Sequence, residues 1–69
     1  MDVSEALELV SRIQEMIEDE ISPERVNDFL EDVLEKSASV GETIESSGYV
    51  TEKQASALQN WHDAVERFL

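Results

Sequence analysis

Apolar side chains recur along this chain at intervals of three and four, and nowhere do they alternate with polar ones over a useful length. That periodicity predicts amphipathic helices and no strands. The set Val3, Ala6, Leu7, Leu9, Val10, Ile13, Met16 and Ile17 predicts a first helix from about residue 3 to 20. On a helical projection Ala6, Val10, Ile13 and Ile17 fall together, with Leu9 and Met16 on one flank and Leu7 on the other. The stripe covers roughly half the circumference, wider than a two-stranded coiled-coil seam, so this helix is expected to touch more than one neighbour. Asp2 is placed to cap it, with Glu5 in the capping-box position.

Ser22-Pro23-Glu24 reads as a restart. Ser22 offers an N-cap hydroxyl, and Pro23 suits a first helical position, where its missing N–H costs nothing. Ile21 is placed to staple onto Val26, which makes the turn between the first two helices very short. The second helix is expected over 23–46, with Val26, Phe29, Leu30, Val33, Val40 and Ile44 on one face and Ser37 and Gly41 among them. The weak helix formers of 37–41 leave two readings: a kink, or a close approach of another backbone to the small residues. A continuous helix with a soft middle is the one adopted.

Gly48 is placed for the left-handed C′ position, with Tyr49 as the following hydrophobic contact. Thr51-Glu52-Lys53-Gln54 matches the capping box, and Val50 is placed to staple onto Ala55. Leu58, Trp61, Val65, Phe68 and Leu69 then give the apolar face of a third helix over 52–68, with Ala57 and Ala64 at its edge. The pattern as a whole predicts one all-α domain spanning 1–69, either a three-helix antiparallel bundle or a helical hairpin plus a third helix.

Size changes that picture. A domain of 69 residues buries only about 60% of its unfolded surface, and small scaffolds add disulfides, a metal or self-association. The absence of cysteine excludes disulfides and thiolate metal sites and is compatible with a reducing cytosol. Self-association remains, and a homo-oligomer, a dimer first, is expected. No apolar run approaches the roughly 18 residues of a membrane span, and the acidic start lacks the basic region of a signal peptide. A cytoplasmic protein is expected.

Charge bears on partners. Seventeen acids against five Lys and Arg give a net −12. That argues against direct nucleic-acid binding and against an anionic membrane surface. It fits a basic protein surface, phosphate mimicry, high-salt adaptation or plain solubility. The distribution is lopsided: residues 1–21 hold seven acids and one Arg, residues 22–48 seven acids and two basic residues, residues 49–69 three acids and two basic residues. Glu24, Asp28, Glu31, Glu35 and Glu42 are expected along one stripe of the second helix, with neighbours about 5–6 Å apart, near the spacing of phosphates along a strand. The competing reading is a solvated outer face.

Candidate chemistry is sparse. There is no phosphate loop, no zinc spacing and no Glu-x-x-His pair. The single histidine, His62, borders the apolar face of the third helix and reads as a half-buried packing residue. With one histidine, no cysteine and no proposed pocket, a nucleophile–base pair cannot be built from the sequence. Glu18-Asp19-Glu20 has the charge to attract a divalent cation but no calcium-loop geometry, and reads as a solvated helix end. Three acids there oppose the helix dipole, which hints at a role besides stability. No catalytic residue, metal or cofactor is expected.

Phe29 and Leu34, then Gly48-Tyr49-Val50-Thr51-Glu52-Lys53-Gln54, then Ala57-Leu58-Gln59-Asn60-Trp61 carry a resemblance. Over residues 26–69 the chain is similar to a helix–G-x-hydrophobic-T/S-x-K-Q-x-x-A-L–helix module of small phage-encoded and bacterial helical proteins, some linked to DNA processing or host takeover. The resemblance implies an all-helical fold and, if phage-encoded, the host cytoplasm; it brings no activity with it. The expected function is a non-enzymatic interaction factor, an inhibitor or accessory protein. Glu24, Asp28, Glu31 and Glu35 would meet a basic surface of a host protein and compete there with nucleic acid. The alternatives are a self-assembling module, with Trp61 and Phe68 as partner or oligomer contacts, and a halophilic protein of any role.

Overall fold

In the computed structural model, which describes residues 1–69, α1 runs over Val3–Glu15, α2 over Asp28–Ser47 and α3 over Glu52–Glu66, and there is no strand. Asp2 caps α1 through Oδ1, which accepts from the Glu5 N–H at 2.8 Å; only this half of the expected box forms. Helical winding then continues through Met16–Glu20 as a single π turn, closed by the Ile21 N–H donating to the Met16 carbonyl at 2.8 Å. The wider turn brings Met16, Ile17 and Ile21 all into the core. Ile21, extended at φ −88° and ψ 131°, ends the winding, and Pro23 disfavours its resumption at Ser22.

The restart differs from the expectation. Ser22 makes no side-chain cap, and Pro23–Arg25 form only one 3₁₀ turn. Val26 and Asn27 are extended, and Asn27 caps α2 by accepting from the Leu30 N–H at 3.0 Å. Ser and Asn are equally good caps; the Asn27 start is the one that accompanies burial of both Ile21 and Leu30. The helix expected over 23–46 therefore begins at Asp28, and the connection is longer than the Ser-Pro pair implies.

From there α2 is continuous to Ser47, with no break at 37–41. Ser37 and Gly41 are buried on its inner face, where Ser37 Oγ donates to the Leu34 carbonyl at 3.1 Å. A Cβ on Gly41 would stand 3.3 Å from Val10 Cγ1. The small residue thus admits a side chain of α1. Gly48 ends α2 in the left-handed conformation, φ 79° and ψ 11°, its N–H donating to the Ile44 carbonyl at 2.8 Å. Tyr49 does not cover this end as expected and stays 62% exposed. The Thr51–Gln54 box forms in full: Gln54 N–H donates to Thr51 Oγ1 at 3.1 Å, and Thr51 N–H to Gln54 Oε1 at 2.9 Å.

The three helices form an elongated bundle of 36 × 17 × 16 Å, close to the length of α2 itself. Its core is Ala6, Val10, Ile13, Met16, Ile17 and Ile21 from the first segment, Leu30, Val33 and Ile44 from α2, and Leu58 and Val65 from α3. The first segment is the hub. Its apolar stripe is divided between α2 and α3, while those two helices touch each other less. The width of the stripe, which motivates self-association in the sequence, is thus largely met inside one chain. No buried side-chain polar atom lacks a partner, and no helix is long and apolar enough to cross a membrane.

Two measurements check this arrangement. Thr51→Ala is expected to cost about 1 kcal/mol in urea melts; Gln54→Ala should cost less, and the double variant should be less than additive because one box serves both. Additive losses would contradict the box. Gly41→Val, which drives two extra methyl groups toward Val10, is expected to cost about 1–3 kcal/mol, and an unchanged melt would show that α1 and α2 are not in close contact there.

Candidate functional site

All four candidate acids are exposed, but they are not one set. Glu24 sits on the 3₁₀ turn, outside the helix. Asp28, Glu31 and Glu35 follow at three and seven residues' spacing on α2, and Glu42 continues their line on the solvent side. Asp28 and Glu31 lie in the first turn of α2, where negative charge suits the helix dipole. Glu35 has no such local role. None of these acids makes an ion pair. The only Lys pair on α2 joins Lys36 Nζ to Asp32 at 2.9 Å, beside the stripe. Arg25, Lys53 and Arg67 make no ion pair either, so the α2 stripe is an uncompensated acidic surface.

The acids after α1 are different. Arg12 reaches past the π turn, and its guanidinium is hydrogen-bonded to both carboxylate oxygens of Glu20, with Glu15 at 3.5 Å. The hydrogen bond to Glu20 raises the Arg12 pKa further above its ordinary value; partial desolvation opposes this, and the charges of Glu20, Glu15 and Glu66 add to the rise. Arg12 is therefore a fixed cation. Glu20 has a structural partner that sequence spacing of eight residues did not reveal, because only the π turn brings it back. Glu18 and Asp19 remain solvated.

The alternative contacts are both half-buried and packed on the core. Phe68 stacks on Phe29, ring centroids 6.4 Å apart and planes at 23°. Phe29, expected inside, is 47% exposed. It lies at the start of α2, where the late Asn27 cap sets it against the end of α3. Phe29 and Phe68, with the exposed Leu69, thus leave an apolar patch at one end of the bundle. The surface grooves, of 250 to 360 Å³, are open and shallow.

On α3, Gln59 is tied to the following turn. Its Nε2 donates to Asp63 Oδ1 at 3.2 Å, and the same oxygen lies 3.3 Å from His62 Nδ1. Glu66, four residues beyond His62, completes a group whose metal-ligating atoms all lie within 4.8 Å of one another. His62 alone at an apolar border reads as packing; its four-residue spacing from Glu66 is the signal in the sequence that points to the group. Comparison with family models, with curated proteins and with solved structures gave no match to this chain. The functional reading therefore rests on the chain's own residues.

Proposed function

We propose that the protein is a non-enzymatic interaction factor whose acidic face binds a basic protein surface. One observation supports this reading above others: Asp28, Glu31 and Glu35, with Glu42 beyond them, are exposed and unpaired along α2 although five basic residues are present in the chain. A field of one sign speeds encounter with an opposite surface. If that basic surface normally holds nucleic acid, the protein acts as an inhibitor or accessory factor that competes for it.

A second reading, a self-assembling module, draws on the exposed Phe29 stacked on Phe68. Here the apolar end of the bundle makes the contact and the acids keep the assembly soluble.

The first reading expects a partner captured from lysate at low salt, released at high salt, and lost with the combined change Glu24→Gln, Asp28→Asn, Glu31→Gln and Glu35→Gln. Four positions are changed together because an exposed pair is worth only about 0–1 kcal/mol. Circular dichroism should show an intact fold, since all four side chains point to solvent. Equal capture by the folded variant overturns the acidic-face reading, and loss through Trp61→Ala or Phe68→Ala alone moves the contact to α3 and the turn that follows it. The second reading expects a homodimer in sedimentation at micromolar concentration that Phe29→Ser dissociates; a 7.8 kDa monomer at hundreds of micromolar sinks it.

A further inference from the structure

We propose that His62, Asp63 and Glu66 bind a first-row divalent cation of the zinc class. His62 and Glu66 are four residues apart on α3 and share a face; Asp63 lies beside them. Their ligating atoms are within 4.8 Å of one another, one imidazole nitrogen and two carboxylate oxygens. Zinc bonds of about 2.0–2.2 Å to nitrogen and oxygen require the group to close by an ångström or more; His62 Nδ1 and Asp63 Oδ1 already lie 3.3 Å apart, and the exposed, unbonded Glu66 side chain has the freedom to close on them.

The imidazole is what separates this group from the acidic runs elsewhere. Glu18-Asp19-Glu20 offers oxygen alone, and one of its members is engaged by Arg12. An imidazole with carboxylates favours zinc, copper or nickel over magnesium and calcium, which prefer all-oxygen shells. The His62 ring is also held in place. It is half-buried, its Nδ1 lies 3.3 Å from Asp63 Oδ1, and Gln59 fixes that oxygen from the preceding turn. Arg12, whose charge is felt by Glu66, is occupied by Glu20 and Glu15 and makes no ion pair with Glu66. A net charge of −12 concentrates cations around the molecule. Three protein ligands leave a fourth tetrahedral position for water or an outside ligand. The site is independent of the acidic face of α2.

The test is a titration of the purified protein with Zn²⁺ in a background of excess Mg²⁺, followed by NMR. The expected result is saturable one-to-one binding, with the His62 imidazole and the backbone amides of 59–66 shifting together. Glu66→Gln and Asp63→Asn should each weaken binding by about tenfold or more, since even outer-shell losses at metal sites cost about 10–100-fold. Both residues are exposed, unlike His62, so these variants keep the fold, and circular dichroism checks it. Glu35→Gln should leave binding unchanged. Shifts spread over all carboxylates without saturation, or binding that survives either Glu66→Gln or Asp63→Asn undiminished, overturns the proposal.

Discussion

Burial of the apolar stripe on α1 is the constraint on which the rest of the bundle depends. Val10 fits against Gly41 because that position carries no Cβ, and Ala6, Ile13 and Met16 reach zero exposure beside it. Dispersion and hydrophobic gains both need this proximity, since a small gap forfeits a large part of each contact. The same contact orients the other helices. Once Ser37, Gly41 and Ile44 face inward, the helical period turns Asp28, Glu31, Glu35 and Glu42 outward. The acidic surface is thus a geometric consequence of the core.

Charge works against that core. Twelve uncompensated negative charges repel one another across a small molecule, and the observed ion pairs, all substantially exposed, offset little of it. Added salt screens this repulsion, which favours the fold. It also screens any attraction to a basic partner, which weakens binding. Stability and a charge-driven contact therefore respond to ionic strength with opposite signs, whereas an apolar contact through Phe29 and Phe68 follows the fold.

What was legible in the sequence was local. The Thr51–Gln54 box, the Asp2 cap and the left-handed Gly48 each need only a few adjacent residues, and each formed. Helix number and the all-α class followed from periodicity. The restart was misplaced because Ser22-Pro23 and Asn27-Asp28 are both valid local starts, and burial of Ile21 and Leu30 on either side decides between them. The π turn was hidden for a similar reason: bringing Met16 and Ile21 inward together is a tertiary gain. Exposure of Phe29 and Tyr49 depends on where neighbouring helices end, which no local pattern encodes. The candidate metal group was different again. The spacing of His62 and Glu66 was readable, and a lone histidine on an apolar border simply drew a packing interpretation.

Position along a helix also sorts the acids by what they mean. Negative charge in a first turn is favourable by about 0.3–1 kcal/mol and in a last turn is unfavourable by a similar amount. Asp2, Asp28, Glu31 and Glu52 stand at helix starts, so local stability alone accounts for them. Glu20 stands near a helix end but is held by Arg12. Glu45 stands in the last turn of α2 with no cation beside it, and Glu18 and Asp19 follow α1 in the same condition. Those three oppose the dipole without compensation, and Glu35 gains nothing from it. An acidic surface retained for helix stability would concentrate at helix starts. This one extends to the ends, which helix stability does not account for. Of the three proposed-contact acids on α2, Asp28, Glu31 and Glu35, Glu35 is accordingly the one that helix stability explains least.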